Sequence, residues 1–476
     1  VLLSRPDVPR PSQSARDKAK SLLDQRLGPS KVLTGHDACE RFKRDESEAE
    51  GEVPDAVVLA TSVDDILAAL AVAREAEVPI TPRAGGTGRT GGAVPMAGGI
   101  VLATSGMQSI VEIDRKEGLA VVEPGVILAD LHDAVEAEGW FYPPDPNSLK
   151  SCAIGGNVAE NAGGPRAFKY GVTRDYVLGV EALLIGGQRL QVGRRTIKGV
   201  TGYDVTGLLV GSEGTLAVFG RTTLQLIPKP PSVMTLLTLF TDVTQAGAAV
   251  QAIISAGISP RCIELLDSST LEAMRLAGNP INPAAGAMLL MEVDGDEASV
   301  ERQAQRIQGV CDDVKALEVL VAQDAAQRER LWSARREMSH AVRKLTKKKL
   351  SEDVVVPRQQ IGALLDFVRE ISERTSVRTL TYGHAGDGNL HVNFLWNEEH
   401  EMPAVERAIL ELFQKVIALR GTLSGEHGIG VLKAPYLPLE QSPELITLQR
   451  DLKRVFDPAG LLNPGKIFPP ASHRAC

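Results

Sequence analysis

Apolar and polar positions recur with two different periods along this chain, and the changes of period mark its elements. "AVVLATSVDDILAALAVAREAEVPITPRAGG" (56–86) reads strand, helix, strand: an apolar run, then Ile66, Ala69, Leu70 and Ala73 at helical spacing, then a second short apolar run. Ser62, three residues before Asp65, predicts a capping box at the start of that helix. The second strand runs directly into a glycine-rich loop. A further strand-helix unit follows at 119–139, where "LAVVEPGV" precedes the helix pattern "LADLHDAVEAEG". Glycine stays dense through Gly214 and thins after "LIPKPP" (226–231), a Pro-rich break that predicts a domain boundary. From about 232 to 420, apolar strands such as "MTLLTLF" and "AMLLMEV" alternate with charged amphipathic helices, the pattern of an α+β domain built on an antiparallel sheet. The helix pattern of 402–421 is expected to end with Gly421 as its C-cap, and the loop "TLSGEHGIG" follows. A last helix over roughly 443–456 stops at "DPAGLLNPGKIF", and there is no internal repeat.

Within the second region, "YGHAGDGNLHVNF" (382–394) sets two histidines symmetrically about Asp387-Gly388. Asp-Gly between alternating apolar runs predicts a two-residue hairpin turn. In that register Gly386 faces Asn389, Ala385 faces Leu390 and His384 faces His391, with β-carbons about 4.5–5.5 Å apart on one face. Two imidazoles so placed can share a metal ion; a glycine-rich loop with locally hydrogen-bonded histidines is the alternative.

At 476 residues the chain exceeds one core, and two or three domains are expected. Hydrophobic content of 43% and charged content of 24% are ordinary for a globular protein. The net charge of -8 argues against a nucleic-acid partner, and the one basic run, "RKLTKKK" (343–349), reads as a solvated helix end. Cys39, Cys152, Cys262, Cys311 and Cys476 are scattered and odd in number, which points to a reduced compartment. No apolar run has the length of a membrane span, and "VLLSRPDVPRPSQSARDK" lacks the apolar core of a secretory signal. The expected location is cytoplasmic, peripheral to a membrane only through a partner.

"PRAGGTGRTGGAVP" (82–95) contains a formal GxGxxG, from Gly86 to Gly91, but Gly92, Pro95, Gly98 and Gly99 follow and forbid the long helix that a nicotinamide-binding turn requires. The glycine density still lets backbone N–H groups approach and cradle an anion, with Thr87, Thr90 and Arg89 adding hydroxyls and charge. Glycine-rich segments recur at 143–175 and 198–218. Three such segments suggest a large phosphate-bearing ligand clasped by main chain, and a dinucleotide of flavin type fits.

The order "PRAGGTGRTGGAVP", "PPDP", "AIGGNVAENAGG", "KYGVTRDYVLG", "GYDVTGLLVGSEGTLAV", "GHAGDGNLH", "SGEHGIG", "LNPGKIF" resembles the vanillyl-alcohol-oxidase or p-cresol-methylhydroxylase type of flavoprotein, in the branch of D-lactate dehydrogenase, D-2-hydroxyglutarate dehydrogenase and the glycolate oxidase flavoprotein subunit, from about residue 35 to 468. The resemblance implies an α+β chain: a helical lead-in (1–50), a two-subdomain FAD-binding domain (51–230), a substrate or cap domain with an antiparallel sheet flanked by helices (231–430), and a C-terminal segment (431–476) returning to the FAD domain. It implies FAD held by Pro82, Arg83, Gly85, Gly86, Thr87, Gly88, Arg89, Thr90, Gly91 and Gly92, by Pro143, Asp145, Gly155, Gly156, Asn157, Asn161 and Gly163, by Gly171 and Val172, by Glu213 and Gly214, and by Asn463 near the isoalloxazine. The glycine loop has no histidine or cysteine, so the FAD is expected to be non-covalent.

In the resembling enzymes the Glu of "SGEHGIG", here Glu426, joins the hairpin histidines His384 and His391 around a divalent ion, with zinc the first expectation and manganese or iron the others. Two imidazoles and a carboxylate leave positions open for substrate. The implied reaction is FAD-linked oxidation of a D-2-hydroxy acid, such as D-lactate, D-2-hydroxyglutarate or glycolate, to the 2-oxo acid, with hydride passing to flavin N5. His427 is the expected base, its alternative role being to orient Glu426. Arg335, in "LWSARREMSH", would bind the substrate carboxylate, with Ser339 one turn along the same face; Asn393 is a further substrate-binding candidate, and Lys349 stands near where the D-2-hydroxyglutarate pattern has a lysine before a Tyr-Asp pair. Expected partners are the hydroxy acid and an electron acceptor, protein or quinone; a homodimer is one possible assembly. The competing functions are a flavoprotein subunit without turnover of its own and a metal-dependent hydrolase.

Overall fold

A computed structural model describes residues 8–336, 342 and 346–470. The chain divides into two compact units: one of residues 1–162, 172–229 and 426–476, the other of residues 163–171 and 230–425.

In the first unit, β1 (Val32–Thr34), β2 (Ala56–Leu59), β3 (Ile80–Arg83) and β4 (Ile100–Ala103) form a sheet of order β1-β2-β4-β3. β4 lies parallel to both β2 and β3, whereas β1 is antiparallel to β2. The crossover from β2 to β3 is the helix Val63–Ala76, whose Ile66, Ala69, Leu70 and Ala73 are fully buried against the sheet and the helix Gln13–Leu27. Ser62 caps that helix by accepting from the Asp65 N–H (3.2 Å). The box is only half made, because Asp65 accepts from the N–H and hydroxyl of Thr61 and pairs with Lys31 instead. A second, antiparallel sheet has the order β5-β6-β10-β8-β9, from β5 (Ile110–Asp114), β6 (Leu119–Val122), β8 (Val177–Leu183), β9 (Arg189–Gly193) and β10 (Val218–Gln225), while β7 (Trp140–Phe141) pairs with β11 (Ile227–Pro228). The C-terminal return docks on β3: Ile80 donates to Leu461 O and accepts from the Asn463 N–H, both at 2.8 Å.

The second unit is built on a seven-stranded antiparallel sheet, β15-β12-β14-β13-β17-β18-β16, from β12 (Ser232–Phe240), β13 (Cys262–Leu266), β14 (Ala287–Gly295), β15 (Glu318–Val321), β16 (Lys348–Val355), β17 (Arg378–His384) and β18 (Asn389–Trp396). The central strands are buried along almost their whole length, which requires cover on both faces. One face packs Leu237, Leu266, Leu290, Leu380, Tyr382 and Leu395 with Leu271 and Met274 of the helix Ser268–Leu276 and with Leu331 and Trp332 of the helix Ala325–Arg336. The helix begun at Met402 runs to Ala418, and the left-handed residue after it is Arg420 (φ 63°), not Gly421. Gly421 serves for close approach instead: a Cβ there would sit 2.2 Å from Val355 O.

Candidate active site

In the first unit the chain leaves β3 at Pro82 and Arg83 and enters the glycine loop. Residues 85–89 are at least partly exposed, while Thr90, Gly91 and Gly92 are buried. Among the described residues, no backbone carbonyl takes up the N–H groups from Gly85 to Arg89. A Cβ at Gly85 would lie 2.6 Å from Ser151 O, and one at Gly155 would lie 2.7 Å from the Pro124 Cβ, so loop and short helix Ile154–Glu160 approach their neighbours at backbone distance. Gly156 faces Ala84, and Asn161, left-handed at φ 56°, ends the helix and accepts from the Arg174 N–H (2.8 Å).

Three further segments converge on this loop. Thr90 Oγ1 donates to His427 O (3.0 Å), and Thr90 O accepts from the Val431 N–H (2.8 Å). Glu213 accepts from the N–H groups of Ile429 and Gly430, both at 2.7 Å. Asn463 Nδ2 donates to Gly92 O (2.9 Å) and Glu213 O (2.8 Å). Asn463 Oδ1 is buried with no hydrogen-bond partner among the described residues, and buried Asn157 Nδ2 has only the weakly accepting Cys152 thiol. Buried polar atoms left in this state are costly unless something completes them. Open loop amides and orphaned amide groups are what a phosphate-bearing, hydrogen-bonding dinucleotide would satisfy, so the residues fit FAD.

Of the other expected contacts, Pro143 and Asp145 lie on a loop fixed by His132 Nε2 against Pro144 O (3.0 Å), and the Val172 N–H donates to Asp175 (2.8 Å). Gly86 and Thr87 remain on the partly exposed part of the loop, Gly88 O accepts from the Glu46 N–H (3.1 Å), and Arg89 donates to Glu46 O (3.4 Å). Gly214 follows Glu213 with φ 64°. Gly163 and Gly171 are not grouped with these residues: they bound the segment assigned to the second unit, where Tyr170 donates to Asp294 (2.8 Å) and Lys169 pairs with it. Sequence reading named Glu213 but missed the buried charges Glu160 and Lys466 beside it. Burial lifts the Glu160 carboxyl well above the usual range, with Glu213 adding to it; burial also lifts Glu213 and pushes the Lys466 ammonium down to about 7.

In the second unit the hairpin forms, but with a different register. His384 pairs with Asn389 and His391 with Tyr382, so the loop is the four residues Ala385–Gly388 and not Asp387-Gly388 alone. A two-residue type I′ turn needs positive φ at both positions. Here Gly388 has it (φ 87°) and Asp387 does not, and the Gly388 N–H donates back to His384 O (3.1 Å). The shift is by two residues, which preserves the face. His384 and His391 therefore remain neighbours, diagonal across the ladder, with ring centroids 5.4 Å apart.

Two carboxylates from neighbouring strands flank the pair. Glu264, opposite His384 on β13, pairs with His384 Nδ1 through Oε1, and its Oε2 lies 2.8 Å from Arg335 Nε and 2.6 Å from Arg335 Nη2. Burial alone would raise the Glu264 carboxyl, yet His384 and Arg335 hold it below the usual range. The Arg335 guanidinium also lies 4.9 Å from the Tyr382 ring centroid. Asp353, opposite His391 on β16, has Oδ1 3.9 Å from His391 Nδ1. Asp353 accepts from Asn389 Nδ2 (2.5 Å), from the Ser424 hydroxyl (3.2 Å) and from the Gly425 N–H (2.9 Å). Asn393 donates to His391 O (2.9 Å), and its buried Oδ1 takes no hydrogen bond from the described residues. Lys349 is buried on the Asp353 face of β16, four residues and about 13 Å along the strand. Ser339 lies outside the described residues. Glu426 and His427, the residues directly after Gly425, belong to the first unit, with Glu426 Oε1 4.0 Å from His427 Nε2.

Among the described residues no helix is long and apolar enough to cross a membrane. Comparison with known proteins agrees with the geometry. The family "FAD linked oxidases, C-terminal domain" matches residues 229–467, and "FAD binding domain" matches residues 54–193. Among curated relatives, glycolate oxidase subunit GlcD of Bacillus subtilis is 42% identical, over 87% of this chain and 89% of its own length. D-lactate dehydrogenase of Anaerostipes hadrus is 33% identical over 93% and 95%. D-lactate dehydrogenase of Archaeoglobus fulgidus is 35% identical over 86% and 90%. Solved structures share the fold: 4-ethylphenol oxidase from Gulosibacter chungangensis superposes with a TM-score of 0.81 at 18% identity, over 99% of this chain and 100% of that one. p-Cresol methylhydroxylase gives 0.80 at 16% identity, over 98% and 100%. Both family matches run through the loop-bearing unit and the unit with the buried histidine pair, and the chain belongs to the FAD-linked oxidases.

Proposed function

We propose that this protein oxidises a small D-2-hydroxy acid, of the D-lactate or glycolate kind, to the 2-oxo acid, using non-covalent FAD and a divalent metal ion. The observation that carries the reading is the buried pair His384 and His391, side by side on one face of the sheet and each beside a strand-borne carboxylate. The names of the relatives supply the substrate class.

FAD would be held by the loop amides of 85–89, Asn157 and Asn463, and would supply a hydride acceptor. A divalent ion, zinc before manganese or iron, would take His384, His391 and Glu426 as ligands and lower the pKa of a bound hydroxyl. Glu426 follows Gly425, whose N–H is fixed on Asp353, and this supports its role as third ligand. His427 takes the hydroxyl proton, its backbone held by the hydrogen bond from Thr90. Arg335 offers the substrate carboxylate its charge, and Asn393 Oδ1 offers an acceptor on the same sheet face. The domain limits 51–230, 231–430 and 431–476 stand as the functional division proposed with it, and Ser339 and Lys349 are proposed as further substrate-binding residues.

His384→Ala tests the reading. Metal content and flavin reduction by D-lactate are expected to fall together, while FAD content stays at the wild-type level; a variant that keeps its metal and its reduction rate refutes the ligand assignment. The names of two relatives, each a glycolate oxidase subunit, favour a second reading of how electrons leave: this chain as the flavin-bearing subunit of a complex.

A further inference from the structure

Glu264 interrupts the apolar strand β13 and is fully buried, an expensive position for a carboxylate unless both oxygens are engaged. They are engaged by different partners. Oε1 meets His384 Nδ1, and Oε2 meets the Nε and Nη2 edge of Arg335. One partner is a metal ligand and the other a substrate-carboxylate group on the proposed function above, on which this inference rests. Helix and sheet support the arrangement: one turn before Arg335 on the same helix, Trp332 Nε1 donates to Glu292 (2.7 Å), and Glu292 lies opposite Cys262, two residues from Glu264.

We infer that Glu264 is a positioning residue that joins the metal ligand His384 to Arg335, so that one buried carboxylate sets both the imidazole tautomer for metal binding and the aim of the guanidinium. The physical reason is the direction of one proton. An ionised Glu264 can only accept, so His384 carries its proton on Nδ1 and presents the lone pair of Nε2, the form a metal requires. In a Glu264→Gln variant the amide oxygen can still accept from Arg335, and the amide N–H then faces Nδ1. The imidazole must accept there, which moves its proton to Nε2 and blocks that nitrogen as a ligand.

The test is zinc binding to FAD-loaded protein by calorimetry, for wild type, Glu264→Gln, Glu264→Asp and His384→Ala, with thermal unfolding and flavin content confirming that each is folded. The expected result is zinc affinity lower by about 10–100-fold in Glu264→Gln, with a smaller loss in Glu264→Asp, which keeps the charge but shortens its reach. KM for the hydroxy acid should rise in the Glu264→Asp variant as the Arg335 aim is lost. If either folded Glu264 variant binds zinc as wild type does while His384→Ala does not, the positioning role is overturned and the metal site stands. If His384→Ala also binds zinc normally, the metal site itself falls. Should Glu264→Gln not fold, Glu264→Asp still decides the matter.

Discussion

Asn463 adopts a left-handed backbone (φ 45°), which Asn tolerates better than most residues, and its amide bridges two carbonyls of different segments. Asn463→Ala removes both donations and adds backbone strain, and a loss of about 2–4 kcal/mol is expected by denaturant unfolding, together with weaker FAD retention on gel filtration. Lys466 gives a pH signature. Burial pushes its ammonium from 10.5 to about 7, so between those values the folded protein binds fewer protons at this site than the unfolded chain. Its burial therefore costs nothing above about pH 10.5 and destabilises the fold progressively as pH falls toward 7, with a slope of at most ~1.4 kcal/mol per pH unit. Urea midpoints from pH 7.5 to 9.5, on the flavin-free protein, should rise with pH more steeply in wild type than in Lys466→Met; equal slopes would place the charge elsewhere.

At the scale of the element, the hairpin β17–β18 shows what pattern can and cannot carry. Gly388, at φ 87° with its Cβ position 2.1 Å from Val356 O, admits no side chain. Gly388→Ala should destabilise by more than about 2 kcal/mol and lose metal before flavin, read by thermal unfolding and metal content. Alternation with period two was enough to predict two strands and both histidines on one face, and that much holds. The register missed by two residues because the turn type depends on φ at Asp387, and that loop is pinned by contacts outside it: the Gly386 N–H donates to Ile263 O, and Gly388 abuts Val356. The helix Val63–Ala76 was legible from apolar spacing and the capping Ser62, both local signals, and the last helix, expected over roughly 443–456, runs Pro443–Phe456. Glu264 was not legible. In "RCIELLD" it reads as the solvent side of an alternating strand, and its partners Arg335 and His384 lie 71 and 120 residues away. Asp353 was missed for the same reason, being one of two acids in "SEDVVVP" with nothing local to say which is buried beside a histidine.

For the whole molecule, glycine placement was the most informative feature, because a glycine-rich loop leaves its amides open to a ligand, and it argued for a flavin, in agreement with the match to the FAD binding domain. The non-covalent assignment predicts that acid or heat denaturation releases all the yellow chromophore into the supernatant. Restoring FAD to the stripped protein at about 100 times its dissociation constant should raise stability by ~2.7 kcal/mol, visible as a higher melting temperature. Anaerobic flavin bleaching reads out the proposed metal-assisted oxidation by that flavin. FAD-loaded protein is mixed with D-lactate, L-lactate or glycolate, before and after metal removal by a chelator. The prediction is rapid loss of flavin absorbance with D-lactate or glycolate, little with L-lactate, suppression by the chelator and recovery on adding zinc or manganese. Bleaching that persists at full rate in protein shown to be metal-free, or no bleaching by any 2-hydroxy acid with flavin and metal both bound, would contradict the account.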